Sequence, residues 1–391
     1  MTGGAPRSQL AHLQSVKENG IDVLATVSSD YFELAKKLPD VKIIKVDGIS
    51  FNNPLRLFSN LKNWYKIIQN ENPDIIHTNR VPHFVFLAII SDLTGTPMVF
   101  SQAGGIAQAS VIKIIIDKIP IVYSLENKEK FIEAGYKDRE INVISNRIKI
   151  NNSHNIEPSN FNASNSLKIL FVSNLKSVTI DGVFNFLKLI EDQSPNIKMH
   201  FLIHFAGKDT SGENKYLKNF IKQVELTNSY ISPNGTIKYL GWIENIEELI
   251  DSHDVIIGKG RSVLQAALKS KICFVISENG ELTRIKKSNF SQLYFYNFSG
   301  RGLSLDKNEE FIKMLIEKNE FNKYANEAVI VKDDVENAYS ITKAYSKLKT
   351  VYDYAIFKKQ KRSFTRALIK CLKYYFVLFN SRYAKKKIRI A

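Results

Sequence analysis

Short runs of β-branched and aromatic residues alternate with segments of helical periodicity along most of the chain, and after one polar interval the alternation starts again. Strands separated by helices of this length pair in parallel, because each helical crossover returns the chain to the same end of the sheet. In the first stretch, residues 21–27, 41–46, 73–77, 97–101, 121–123 and 141–144 read as strands. Residues 54–69 read as a helix with Leu55, Leu57, Phe58, Leu61, Trp64 and Ile68 on one face, and residues 83–93 as a second helix. Residues 151–166, rich in Asn and Ser around Pro158, are the expected linker. Beyond it, strands at 168–172, 200–205, 236–240, 255–257 and 272–276 alternate with helices at 182–190, 213–224, 245–250 and 262–268, and helices follow at 309–317 and 335–348. The expected fold is α/β, with two Rossmann-like domains, 1–150 and 167–348, around a deep interdomain cleft, and a basic helical tail at 349–391.

Composition removes several classes. Two cysteines, Cys273 and Cys371, cannot build a disulfide framework, so a reducing, cytoplasmic compartment is expected. Cys273 lies within an apolar strand and reads as inert core. The N-terminus has neither a basic nor an apolar signal region, and no stretch approaches the roughly 18 apolar residues of a spanning helix. A Rossmann-like domain opens on a strand, yet none precedes Gly3-Gly4; a start set too late is the favoured expectation, a domain lacking that strand the other.

Gly258-Lys259-Gly260-Arg261-Ser262 follows the apolar strand Val255-Ile256-Ile257 and opens a helix. Glycines allow a ligand to approach the backbone, free N–H groups at a helix start favour a phosphate, and Arg261 offers a fork of donors suited to a diphosphate. The plainer reading is a strand-to-helix turn capped by Ser262. A dinucleotide site fits less well: the third glycine is missing, and an acidic ribose-binding residue about 20 positions on is not expected within the following strand end.

Residues 258–275 resemble the donor-site signature of GT-B glycosyltransferases, in particular the group 1, family-4-like enzymes of bacterial surface-polysaccharide clusters. Seven further segments resemble the family in the same order. Gly3-Gly4-Ala5-Pro6-Arg7-Ser8 is similar to the first glycine-rich loop, and Pro73-Asp74-Ile75-Ile76-His77 to an early strand. Ser124-Leu125-Glu126-Asn127 and Ile144-Ser145-Asn146-Arg147-Ile148 resemble the end of the first domain. Leu170-Phe171-Val172-Ser173-Asn174-Leu175, Leu240-Gly241-Trp242 and Asn297-Phe298-Ser299-Gly300-Arg301-Gly302 resemble loops of the second. The resemblance spans roughly residues 2–348 and implies transfer of a sugar from a nucleotide-sugar donor, with no cofactor or metal and, for a family-4 relationship, retention at the anomeric carbon. It implies donor binding by Asn174, Lys176, Gly241, Gly258, Lys259, Gly260, Arg261, Ser262 and Gln265. On the acceptor side it implies Gly3, Gly4, Gly104, Gly105, Glu126, Asn127 and Arg147. The main chemical task is to stabilise negative charge developing on a diphosphate.

Several positions depart from the family pattern. Gln265 and Ile257 stand where the family carries glutamates, Asn174 where it supplies a cation, Ser270 and Ile272 where it has Gly and Pro, and Ala103 where it often has His. An amide still accepts a hydrogen bond but carries no charge. His77 is the candidate base, against a reading as a strand-end histidine satisfied structurally. Ser124 with Glu126-Asn127 also makes a sensible helix start, Arg147 also reads as a strand end, and Trp242 as a half-buried core ring.

The formal charge of +16 is unevenly placed: 12 Lys or Arg and no acid lie from Lys358 onward, leaving 43 basic against 39 acidic residues in the body. Phe364, Leu368, Leu372, Tyr375 and Phe379 recur at helical spacing among Lys361, Arg362, Arg366, Lys370 and Lys373, and Lys385-Lys386-Lys387-Ile388-Arg389 closes the chain. The favoured reading of residues 358–391 is an interfacial helix on an anionic membrane, presenting the enzyme to a lipid-linked or oligosaccharide acceptor at the inner face of the plasma membrane. The other reading packs that helix back on the first domain. No nucleic-acid motif accompanies the charge, so no nucleic-acid partner is expected. O-antigen or capsule assembly is the expected setting. A catalytically impaired scaffold of the same fold is the first alternative, and a nucleotide-sugar epimerase of related shape the second.

Overall fold

The computed structural model describes residues 4–28, 32, 36, 38, 40–46, 54–79, 81–106, 108–145, 147–149, 166–176, 179–210, 214–303, 308–358 and 360–388. Gly3, Asn146 and nearly all of the expected linker therefore lie outside the described residues. The chain divides into two compact units: unit 1 comprises Met1–Lys149 with Ile341–Ala391, and unit 2 comprises Ile150–Ser340.

Unit 1 begins with helix α1 (Gly4–Glu18), followed by parallel strands β1 (Leu24–Ser28) and β2 (Lys42–Val46), which form a sheet of their own. Helix α2 (Pro54–Glu71) leads to β3 (Ile76–Thr78), α3 (Val81–Thr94), β4 (Met98–Gln102), α4 (Ala109–Ile114), β5 (Ile119–Val122), α5 (Leu125–Glu133) and β6 (Asn142–Val143). Strands β3-β4-β5-β6 are parallel throughout. Alternation along β4 sends Val99 to one face of the sheet and Met98 and Phe100 to the other, which creates two separate cores.

Unit 2 contains β7 (Leu167–Val172), α6 (Ile180–Gln193), β8 (Phe201–Ala206), α7 (Lys215–Ile231), β9 (Gly235–Gly241), α8 (Ile246–Asp251), β10 (Val255–Gly258), α9 (Arg261–Ala267), β11 (Ile272–Ile276), β12 (Leu282–Arg284), α10 (Phe290–Phe295), α11 (Glu309–Ile316) and α12 (Lys318–Tyr339). The sheet order is β12-β11-β10-β7-β8-β9, parallel except for the antiparallel edge strand β12. The chain starts in the middle, runs out to β9, then crosses back to β10, so β7 and β10 flank the switch point of a doubly wound sheet. Residues of β10 and β11 are buried throughout, as expected for parallel strands covered on both faces.

The helix expected over 335–348 is two helices. The backbone leaves helical geometry at Ser340, where ψ is 131°, and α13 (Ile341–Phe357) starts at the next residue with its N–H bonded to Ile148 O at 3.0 Å. Helix α13 closes one core of unit 1 with Ala344, Leu348, Val351, Tyr352 and Ala355. The last helix, α14 (Phe364–Ile388), packs against α3 and α4 on the other face. Both faces of the unit 1 sheet are thus finished by the C-terminal segment.

Candidate functional site

In open α/β sheets a ligand sits beyond the C-terminal ends of the strands beside the switch point. In unit 2 those ends are the turns after β7 and β10. The second is the Gly258–Ser262 segment. Gly258 is buried against the end of β7: a Cβ there would meet Ser262 Oγ at 2.6 Å and Val172 O at 3.2 Å. Gly260 has φ +57°, and its N–H donates to Phe298 O at 2.7 Å. Helix α9 begins at Arg261 with Gly260 as its cap residue, and Ser262 Oγ donates back to Lys259 O at 3.2 Å. Ser262 is therefore no side-chain cap. At seven residues α9 carries little dipole, so side-chain cations dominate any anion field here.

Three of those cations share one field. Burial pushes the Lys259 ammonium below the ordinary lysine range, Glu278 pulls it back up, and Lys176 and Arg301 push it down further. Lys176 follows β7, Lys259 follows β10, Glu278 follows β11, and Arg301 comes from the loop after α10. That loop is held close. A Cβ on Gly300, with φ +81°, would lie 2.1 Å from Ile276 O and 3.2 Å from Lys259 Cε. Phe298, almost fully buried, anchors the loop between Phe290 and Tyr339. The sequence marks this loop by its glycines without singling out Arg301 as a site residue. Its signal was the glycine pair around the arginine, a turn that only a tight approach requires.

The other donor-side residues are placed as follows. Asn174 Oδ1 accepts from Lys208 N at 3.3 Å and its carbonyl accepts from Thr179 Oγ1 at 2.6 Å, so Asn174 ties the end of β7 to the end of β8. Gly241 ends β9 at φ +73°, and its carbonyl accepts from Gly207 N at 2.9 Å. Trp242 is partly exposed with Lys208 Nζ 5.5 Å from its ring centroid, a cation that sequence reasoning missed. Gln265 is buried, and its Nε2 donates to Glu247 Oε1 on α8 at 2.6 Å. The amide at the position of the family glutamate thus holds a carboxylate from the neighbouring helix.

Unit 1 carries a polar layer at the ends of its strands. His77 Nδ1 pairs with Tyr352 Oη at 2.6 Å, its Nε2 pairs with Ser101 Oγ at 2.8 Å, and His12 Nε2 pairs with the same phenol at 3.0 Å. Burial, followed by the Arg147 charge, lowers His77 to about 3 and holds His12 well below the usual histidine range. Both rings are neutral at pH 7, and both nitrogens of His77 are engaged within the protein. Arg147 is buried; its guanidinium donates to Tyr123 Oη and its N–H to Ser8 Oγ at 3.4 Å. Gly4 opens α1, while Gly3 lies outside the described residues. Gly104 and Gly105 follow β4 with open space where a Cβ would stand. Asn127 Nδ2 donates to Gly105 O at 2.9 Å, and its N–H donates to Ser124 Oγ at 3.1 Å, so Ser124 caps α5. Glu126 lies in the first turn of that helix. Cys273 is buried, and burial pushes its thiol up. Among the described residues no group of three or more His, Cys, Asp or Glu is arranged to hold a metal ion.

No protein-family model and no curated protein matches the chain. Solved structures do. Anabaena HepE in complex with UDP and glucose is similar with a TM-score of 0.65 at 15% identity, over 90% of this chain and 96% of that one. A glycosyltransferase from Rickettsia africae is similar with a TM-score of 0.66 at 16% identity, over 91% and 96%. The lipopolysaccharide outer core galactosyltransferase WaaB, in its apo form, reaches 0.53 at 14% identity, over 85% and 96%. At these identities the likeness establishes the fold: the chain has the two-lobed α/β architecture of the GT-B type.

Proposed function

We propose that the protein transfers a sugar from a nucleoside-diphosphate sugar to an acceptor hydroxyl. The observation that carries this reading is the convergence of Lys176, Lys259 and Arg301 at the switch point of the unit 2 sheet. As the glycosidic bond to the donor breaks, negative charge grows on the departing diphosphate. Fixed cations at the strand ends, with Arg261 at the start of α9, stabilise that charge where it develops and need no reorganisation. Glu278, in the same field, offsets part of the push that burial and the neighbouring cations exert on Lys259. HepE with UDP and glucose, a structure of the same fold, supports a nucleotide-sugar as the ligand. The acceptor is proposed to meet unit 1 at the open backbone of Gly104 and Gly105, with Glu126 and Asn127 beside it. His77 acts on this reading as a lock on α13, since both of its nitrogens are committed to Tyr352 and Ser101.

The acceptor is proposed to be a lipid-linked surface polysaccharide such as O-antigen or capsule, with retention at the anomeric carbon and the protein lying on the cytoplasmic face of an anionic membrane through residues 358–391. Donor profiling tests the reading: purified protein is incubated with a panel of nucleotide-sugars and a lipid-linked acceptor fraction. Absence of both nucleoside-diphosphate binding and sugar transfer would remove it. A second reading has its own observation, the engagement of Gln265 with Glu247. A scaffold of this fold would bind the nucleoside diphosphate through the same cations and transfer nothing.

A further inference from the structure

Helix α14 is fixed to unit 1 by a buried charge cluster together with Ala367, Cys371, Tyr374, Tyr375 and Val377, and not by Phe364, Leu368 or Leu372. Lys370 Nζ lies 2.5 Å from Asp92 Oδ2 and 2.9 Å from Asp117 Oδ2, and Lys118 Nζ lies 2.8 Å from Asp92 Oδ1. Gln360 Nε2 donates to Asp92 Oδ1 at 2.6 Å, and Ser363 N donates to Asp92 O at 2.8 Å. Ala367 and Lys370 are buried beside these groups, with Cys371 and Tyr374 packed against the same core. An uncompensated Asp92, fully enclosed, is costly, so the cluster sets the rotation of the helix.

That rotation turns a continuous apolar strip outward. Phe364, Leu368, Leu372 and Phe376 recur every four residues along α14 and are 73%, 47%, 61% and 67% exposed; Phe357, at the end of α13, is 86% exposed. Four-residue spacing keeps such side chains along one edge of a helix. The side chains beyond Val377, including Phe379 and the terminal lysines, lie outside the described ones. Beside the start of the strip is a recess of about 430 Å³, lined by Lys358, Lys361 and Arg366 together with Asp117 and Gln360. Asp117 is already matched by Lys370 and Lys118. Arg366 Nε lies 3.7 Å from Asp92 Oδ1 and its guanidinium donates to Lys361 O, so the recess offers the Lys358 and Lys361 side chains next to two exposed phenylalanines, in a segment without acids after Asp353.

We infer that this strip and recess form a bilayer-docking face, with Phe357, Phe364, Leu368 and Leu372 entering the acyl boundary and the recess taking the phosphate of an anionic phospholipid. The inference rests on the membrane placement proposed above and assigns it to one face. Apolar side chains gain by leaving water at the headgroup level, and basic groups within a Debye length of an anionic surface add to that gain. The charge selects this occupant over a second copy of the chain, which would bring the same cations against these.

Co-sedimentation of the full chain with vesicles tests the assignment. Binding is expected to phosphatidylcholine vesicles containing phosphatidylglycerol and not to phosphatidylcholine alone. Phe364→Ser with Leu372→Ser should weaken partitioning about tenfold. Lys358→Gln with Lys361→Gln should weaken it about fivefold for each residue. Lys222→Glu, an exposed lysine on α7 in unit 2, should leave it unchanged. These four positions are exposed, so circular dichroism melts should match the parent. Anionic binding untouched by both double variants would overturn the docking face and leave the membrane placement standing. No binding by the parent chain would overturn both. Self-association without vesicles that Phe364→Ser with Leu372→Ser abolishes would assign the strip to a second copy instead.

Discussion

Replacing Gln265 by glutamate puts a second carboxylate where an amide now donates to Glu247 Oε1 at 2.6 Å. Two unit charges roughly 4 Å apart repel by about 4 kcal/mol at an effective dielectric of about 20. Glu247 is only partly buried, so solvent screening leaves about 2 kcal/mol. The pair relieves the repulsion by keeping one proton, so its second ionisation moves up. A carboxyl raised in the folded state binds more protons there than in the unfolded chain, so stability falls as pH rises above the ordinary carboxylate range. Urea unfolding of parent and variant from about pH 4.5 to 7.5 should show curves nearly matched at the acid end and about 2 kcal/mol apart at the neutral end. Combining Gln265→Glu with Glu247→Gln reverses donor and acceptor and should restore the parent value. A deficit that stays constant with pH, or one the swap leaves untouched, would refute the placement of Glu247 as the partner of Gln265. The same geometry predicts that Gln265→Glu alone does not raise transfer activity, although the resemblance to the family would suggest that it should.

Lys259→Ala and Arg301→Ala should each weaken nucleoside-diphosphate binding by about tenfold to a hundredfold, the worth of a charged hydrogen bond, read by titration calorimetry with thermal unfolding as the control. His12 and His77 are held neutral in the fold, so the unfolded chain takes up protons first and stability falls with pH below about 6.5; for His77 the loss at pH 5 should be about 2 kcal/mol. His77→Gln, followed by urea unfolding across that range, should flatten the curve. Lys370→Met leaves Asp92 with one buried lysine fewer and should destabilise by about 3 kcal/mol, with α14 amides exchanging faster with deuterium than those of β4.

Much of the fold was legible in the sequence because its signals are local. Periodicity placed β1 to β11 and the helices α2, α3, α6 to α9 and α11, while the short edge strand β12 went unmarked, and the Gly258–Ser262 turn marked the end of β10. What escaped was fixed by partners far away in the chain. The break at Ser340 has no glycine or proline to announce it. Arg301 joins Lys176 and Lys259 only because Gly300 lets its loop rest against the end of β11. Gln265 carries no sequence signal for its bond to Glu247, 18 residues away.

The sequence by itself determined that this chain alternates strands with helices in two successive stretches, which pairs most strands in parallel, and that it carries a phosphate-suited turn in the second, since both follow from residue spacing within one element and its neighbour. It also concentrated the basic residues at the C-terminus. Only the tertiary structure decided which face of the last helix is buried. An amphipathic pattern says that one face seeks apolar surroundings, but the ion pairs of Lys370 with Asp92 and Asp117, more than 250 residues distant, outweigh the exposure of the strip formed by Phe364, Leu368 and Leu372. A buried carboxylate must be paired wherever the chain can reach it, whereas an apolar strip can wait at the surface.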